Sequence, residues 1–536
     1  NYNKDKRNDY MIYIIGNCIS LILILVIIVF RNKISDTLNI DIEKYYKYVL
    51  GVLLLIVIGT STYKIGIVPK GMNIDEAGMF VDAKNLAQYG FDRYINKWPI
   101  YLVNFGGGQS IMYAYLTAFL IKVFGNHLIL ARIPSIIFRI FAFFSACFLL
   151  KNEKNKMSQL VFLFLLAITP YFIMQSRWGL DCNLLVSFLT ISISIFVYSI
   201  EKQNNKLLFI SGILFGLTLY TYSLSYLIIP ILLSLILIFL LKNKKISLKQ
   251  IIVLGFPIFI LSIPLILLIL VNYNILPEIK TFMTIPKLPN FRSGEVSFAN
   301  IPNSLRIIIN VITFDGLFGG KYLIYNALPE FGTLYYISIP FFLVGIIDHI
   351  KKEKHTLIDV TMFIWFLSVI ICSLLLKDPN INKANAIFVP LVYFISKGII
   401  RITNQNKKVL LGIILIYSMN FILFISFYYN QYNQKYDNPP FFATYYIEAV
   451  EYADKQKEKE IYIDPAIEKK AYIYIEMNHQ IILKERNMVL IKTKEKIYHF
   501  KKMKEVPENS IYITKQPQVS QPYKMKQIGN VYVIIN

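Results

Sequence analysis

Residues 71–125 read GMNIDEAGMFVDAKNLAQYGFDRYINKWPIYLVNFGGGQSIMYAYLTAFLIKVFG. The stretch is too long for an ordinary turn and too regularly patterned for a plain soluble loop. From Asp75 onward, Met79, Phe80, Ala83, Leu86 and Ala87 share one helical face, while Asp82, Lys84, Asn85 and Gln88 share the other. That spacing predicts an amphipathic helix lying in a membrane interface. A second such segment is predicted at 110–123. It follows Gly106, Gly107 and Gly108, where the missing Cβ permits a tight turn or a close approach of backbone to a ligand. Asp75 and Glu76 stand at the entry to the first helix. Asp75 reads either as its N-cap or as a carboxylate held at the lipid–water boundary, and the two roles are compatible.

Outward from this stretch the chain turns apolar. Of its 536 residues 55% are hydrophobic and 17% charged, and the mean hydropathy is +0.50. Runs of roughly 17–25 apolar residues recur, which excludes a disordered chain and most soluble folds. The reading is an all-α polytopic membrane protein with about twelve spans. These are 11–30, 47–66, 127–150, 159–175, 183–200, 207–223, 225–241, 248–271, 333–350, 357–376, 385–400 and 408–429. Residues 11–30 read as a span rather than a signal peptide, because the run is long and no small-residue cleavage site follows.

Lys and Arg number 56 against 33 Asp and Glu, a net charge of +23. The excess sits in short loops and carries no nucleic-acid-binding pattern, so it reads as topology and headgroup contact. Four basic clusters alternate with the spans: Lys151, Lys154 and Lys156; Lys242, Lys244, Lys245 and Lys249; Lys351, Lys352 and Lys354; Arg401, Lys407 and Lys408. They place one side in the cytoplasm and put 67–126, 176–182, 272–332, 377–384 and the tail from 430 outside. Lys4, Lys6 and Arg7 pull the first span the other way. Cys18, Cys147, Cys182 and Cys372 form no CxxC pair and read as small buried hydrophobes. The five histidines show no ligand spacing.

The organisation expected is an extra N-terminal segment over 1–46, a transmembrane core over 47–430 and a small α/β domain over 431–536. In the last part, IYIDP, AYIYIEM, SIYITK and NVYVIIN read as strands, with a helix near 443–457. That domain reads as a structural cap, or alternatively as a device for handling an acceptor.

The Asp-Glu pair entering an interfacial helix, the second such helix and the many spans together resemble the GT-C glycosyltransferases. The likeness is to the branch of the protein O-mannosyltransferases and the lipid A aminoarabinose transferase. NIDEAGMFVDAKNLAQYGFDRY, NFGGGQS and DPNINKANAIFVPLVYFISKG (378–398) resemble Gram-positive family 39 glycosyltransferases. The resemblance covers roughly 47–430. It implies transfer of a sugar from a polyprenyl-phosphate donor to a cell-envelope glycan, teichoic acid, lipid or protein, on the outer face of a bacterial cytoplasmic membrane, with inversion. The leaving group is already a stable phosphate anion, so a single carboxylate suffices to take the acceptor proton. In the family that base maps to Asp75, with Glu76 supporting it.

Cations at the outer boundary are candidates for the donor phosphate. Arg177 in SRWGLDCN is one, with Asp181 beside it; a headgroup anchor paired to Asp181 is the structural alternative. Lys321, after Gly319 and Gly320, is another, and so is Lys383. Asn385 and Gln109 are candidates for sugar hydroxyls. Arg132 and Arg139 lie at or within a span, where a charge demands a partner or a function. Asp75, Glu76 and Asp181 are the carboxylates a divalent ion would require. The chain lacks the DxD and WWDYG signatures of the oligosaccharyltransferase branch, so no metal or other cofactor is expected. The rival reading is a transporter or flippase of lipid-linked saccharides, which predicts inverted repeats that the sequence does not show.

Overall fold

The computed structural model describes residues 2–36, 38, 41–151, 153, 155–291, 293–312, 325–404, 406–436, 442–467, 470–479, 490–517 and 523–536. In chain order the helices are α1 (Tyr2–Phe30), α2 (Ile42–Thr62), α3 (Ile74–Tyr89), α4 (Met112–Phe124), α5 (Ile133–Leu149), α6 (Lys156–Ile168), α7 (Pro170–Gln175), α8 (Asp181–Glu201), α9 (Asn205–Thr218), α10 (Ser225–Lys242), α11 (Leu248–Asn272), α12 (Ile301–Ile312), α13 (Ile339–Lys351), α14 (Leu357–Leu375), α15 (Phe388–Thr403), α16 (Lys407–Asn430), α17 (Tyr432–Tyr436), α18 (Thr444–Asp454) and α19 (Tyr472–Asn478). Every predicted span falls on one or more of them. Among the described residues, eight helices are long and apolar enough to cross a membrane, and α4, α5, α6 and α9 are shorter apolar helices. The protein is a multi-pass membrane protein. The predicted span 159–175 is broken, because Thr169 leaves the helix and Pro170 opens a new one.

The chain divides into two compact units. The first comprises 1–63, 134–269 and 291–430. Among its long apolar helices, α8 and α15 are the most buried. α15 and α13 pack backbone to backbone: a Cβ at Gly345 would stand 1.9 Å from the Phe394 carbonyl oxygen, and one at Gly398 would stand 1.8 Å from that of Phe341. Without a hydrophobic drive between helices in lipid, such close approach between small residues is what holds them. Side-chain hydrogen bonds add to it, Ser192 to Thr218 at 3.2 Å and Asn420 to Ser20 at 2.9 Å.

The second unit comprises 64–133, 270–290 and 431–536. It holds α3 and α4, a small antiparallel hairpin of β1 (Tyr101–Leu102) and β2 (Gln109–Ser110), and a second of β3 (Ile279–Lys280) and β4 (Thr284–Ile285). Its sheet contains β5 (Glu460–Ile463), β6 (Leu490–Lys492), β7 (Ile497–Phe500), β8 (Ser510–Thr514), β9 (Lys524–Ile528) and β10 (Val531–Ile535), in the order β6-β7-β5-β8-β10-β9. β5 runs parallel to both β7 and β8, and the other pairings are antiparallel. IYIDP, SIYITK and NVYVIIN form strands as predicted, and 443–457 holds α18. AYIYIEM does not: it forms α19. Tyr472, Ile473, Tyr474 and Ile475 are all buried. A segment packed on every side gives no face for a period of two to report, so the alternation misled.

Candidate active site

α3 begins at a capping box. The Asn73 side chain accepts the Asp75 N–H at 3.0 Å, and Glu76 accepts the Asn73 N–H at 3.3 Å. The N-cap is therefore Asn73, and Asp75 sits at the second helical position. There the helix dipole favours a negative charge without consuming the carboxylate in capping. Asp75 is partly exposed, whereas Glu76 is fully buried. Arg132 meets Glu76, with Nε 3.0 Å from Oε1 and Nη2 3.4 Å from Oε2. The same guanidinium donates to the carbonyls of Pro69 at 2.8 Å and Gly71 at 2.6 Å. The two members of the Asp-Glu pair thus have different environments: one is a buried brace, the other is partly exposed.

The polar face expected to be solvated is instead packed, since residues 76–86 of α3 are all buried. Burial holds because each charge is answered. Asp82, two turns beyond Asp75, accepts the Arg93 N–H at 2.9 Å and lies 3.4 Å from its Nε. Gly78, one turn from Asp75, makes room for that guanidinium: a Cβ there would stand 2.7 Å from Nη1 and 2.9 Å from Asn104 Oδ1. Arg93 also donates to Asn104 Oδ1 and lies 4.5 Å from the Phe105 ring centroid. Lys470 Nζ lies 3.7 Å from the same centroid. Asn104 and Phe105 adopt positive φ values of 21° and 55°, so the loop before the glycines is held in an unusual conformation.

Electrostatics in this unit follow burial first. Asp92 organises the loop after α3 by accepting from Tyr94 N–H, Asn96 N–H and Asn96 Nδ2. Burial and then the Asp82 charge nevertheless push its carboxyl up to about 6. Burial likewise pulls the Lys84 ammonium down to about 8, against the pull of Glu476. Lys84 donates to the carbonyls of Glu476 and His479, both at 2.7 Å, capping the end of α19. Burial lowers the Lys470 ammonium, and the Asp75 charge opposes that. Gln109 is buried in β2, and its Oε1 has no hydrogen-bond partner among the described residues.

The first unit holds the other candidates. Arg177 is fully buried and donates to the carbonyls of Thr60 at 2.8 Å, Ser61 at 3.0 Å and Tyr63 at 2.7 Å. Its guanidinium lies 4.9 Å from the Tyr429 ring centroid. Those contacts close the carboxyl end of α2, where the helix dipole is negative. Arg139 is served at the same place, by Ser61 Oγ at 2.7 Å and Thr60 Oγ1 at 3.1 Å, and by the Ala167 carbonyl at 3.0 Å. The partner missing from the sequence reading is thus a set of neutral oxygens at helix ends. Asp181 accepts the Cys182 N–H at 2.8 Å, and Asn385, fully buried, donates to the Cys182 carbonyl at 2.7 Å. Asn385 ties the start of α8 to the turn before α15. Lys383 pairs with Glu295 at 3.4 Å and donates to the Lys377 carbonyl at 2.9 Å. Lys321 lies outside the described residues.

Sequence reasoning missed Asn73, Arg93 and Lys470. The triplet spacing Asn73–Glu76 is a capping-box signal that was open to reading. Arg93, just after the helix-ending Gly90, offered a weaker one, and Lys470 carries no local signal. Among the described residues no three His, Cys, Asp or Glu side chains group as metal ligands.

Residues 108–268 match the family model for dolichyl-phosphate-mannose-protein mannosyltransferase. No curated protein matches the chain. Among solved structures, ArnT from Cupriavidus metallidurans bound to undecaprenyl phosphate matches with a TM-score of 0.53 at 9% identity, covering 82% of this chain and 86% of that one. The apo state of the same protein gives 0.51 at 8% identity, covering 82% and 85%. The architecture, with many membrane helices and a small C-terminal sheet domain, is similar in fold to that of ArnT.

Proposed function

We propose that this chain is a membrane glycosyltransferase that moves a sugar from a polyprenyl-phosphate donor to a cell-envelope acceptor, inverting the anomeric centre, with Asp75 as general base. The observation that carries the reading is the division of labour within the Asp-Glu pair. Glu76 is buried against Arg132 and fixes the start of α3, while Asp75 projects from the second helical position, partly exposed and at the positive end of the helix dipole. A helix N-terminus favours the ionised form of a carboxylate, which is the form a base requires.

The chemistry asks for little else. The acceptor hydroxyl attacks the anomeric carbon as its proton passes to Asp75, and the bond to the lipid phosphate breaks with its electron pair leaving on the phosphate. That leaving group is stable without protonation, so no second carboxyl acting as an acid is required. The fold supports such a donor, because the ArnT relative binds undecaprenyl phosphate. The positive-inside pattern supports an extracytoplasmic reaction at a bacterial plasma membrane. Lys321 and Lys383 are proposed as phosphate cations, each judged by its own effect on donor KM. Arg177 and Asn385 are assigned to holding helix ends.

The test is transfer from radiolabelled polyprenyl-phosphate sugars by the wild type and by Asp75→Asn. Loss of transfer with retained folding supports the base; undiminished transfer refutes it.

A further inference from the structure

The C-terminal residues are stitched to the first loop at three places. Phe442 accepts the Met72 N–H at 2.7 Å and Thr444 Oγ1 donates to the Lys70 carbonyl at 3.0 Å, just ahead of the Asn73 cap. Lys84 binds the carboxyl end of α19. Lys470, in the loop between β5 and α19, lies against Phe105. Gly71 enforces the first contact, since a Cβ there would stand 2.2 Å from the Phe442 carbonyl oxygen. The domain therefore delivers Lys470 to one definite place.

That place is the face of α3 that carries Asp75. Asp75, Gly78 and Asp82 follow one another at helical spacing; Arg93 and Asn104 cover Gly78, and Phe105 carries the guanidinium and the Lys470 ammonium together. The charges around the site sort into pairs. Arg132 answers Glu76, and Arg93 answers Asp82, with Asp92, Tyr472 and Glu476 further contributors to this surface. Among the described residues Lys470 is a further cation of this surface, and the Asp75 charge acts on its ammonium.

We propose that Lys470 is a positioning residue of the Asp75 site: the C-terminal domain holds its ammonium beside the carboxylate and keeps that carboxylate ionised, ready to take a proton. The proposal rests on the reading of Asp75 as the base, and it gives the domain a part in the chemistry beyond that of a cap. The ammonium does not touch the reacting atoms. It acts by making the charged form of Asp75 cheaper than it would be beside Arg93 and Phe105 alone.

The experiment reads the protonation of Asp75 directly. Full-length protein in detergent is treated with a carbodiimide and an amine nucleophile across a pH series, and the fraction of Asp75 labelled is followed by mass spectrometry; only the protonated carboxyl reacts. Lys470→Met keeps the apolar stem over Phe105 and removes the charge, and Lys470→Arg keeps the charge. The labelling midpoint is expected to rise by about one pH unit in Lys470→Met and to stay at the wild-type value in Lys470→Arg. In the transfer assay the acid limb of the pH profile should move up with it. An unmoved midpoint in Lys470→Met overturns the inference and leaves the base reading standing. Full transfer by Asp75→Asn overturns the base reading, while the midpoint still reports whether Lys470 governs the carboxyl.

Discussion

Arg132 donates from Nε to Glu76 Oε1 across 3.0 Å, with both side chains buried. The pair binds the start of α3 to the loop at Pro69 and Gly71, because the same guanidinium also serves those two carbonyls. Each side is expensive to bury alone. Glu76→Gln or Arg132→Leu is expected to destabilise the fold by about 3–5 kcal/mol, and the double variant by less than the sum. Thermal unfolding of the purified variants checks this; additive losses would show that the two side chains do not act as a pair.

Gly71 has φ +78° and lies against Phe442 and Thr444. Gly71→Ala meets both a disfavoured backbone conformation and a clash with backbone atoms, and is expected to cost about 1–3 kcal/mol or more. Because the clash lies where the C-terminal residues join the first loop, limited proteolysis should cut the variant within 431–536 well before the wild type. Equal rates of cleavage would count against this junction.

Stability should depend on pH through Asp92. Its folded-state pKa of about 6 stands above the ordinary 3.8, so the folded form holds the proton more tightly. The contribution is fully present below about pH 4 and is lost as pH rises through about 6, a change on the order of 3 kcal/mol. Asp92→Asn should flatten that slope in denaturation measured from pH 4 to 7. The same slope in the variant would place the titrating group elsewhere.

Arg177 offers a test that separates a cation holding a helix end from one binding the donor phosphate. Arg177→Met leaves three carbonyls at the end of α2 without their donor. The melting temperature should fall, with a loss of about 2–4 kcal/mol, while donor KM in the surviving protein changes little. A rise in donor KM at unchanged stability would return Arg177 to the phosphate site.

Much of this fold is legible in the chain because membrane spans announce themselves by composition alone. The segments 248–271, 357–376 and 408–429 could hardly be anything else, and α3 begins where its charge pattern begins. The polar residues were harder. Asp82, Lys84 and Asn85 read as a wet face, yet all three are buried, and Lys84 is held by residues nearly four hundred positions later. No local pattern encodes such a partner. Arg139 was visible as a costly charge and Arg177 as a boundary cation, but their hydrogen bonds go to neutral carbonyls and hydroxyls, and any residue can supply a carbonyl. AYIYIEM failed for a related reason, since a segment buried all round has lost the contrast on which periodicity depends.

The central claim is that the Asp75 carboxylate accepts the proton of the incoming nucleophile. The most direct test is the initial rate of sugar transfer from a polyprenyl-phosphate donor by Asp75→Asn, with donor binding and melting temperature measured on the same sample. A fall of about 10²–10⁴-fold in rate, with binding and stability retained, is the expected result. A rate within a few-fold of wild type would contradict it.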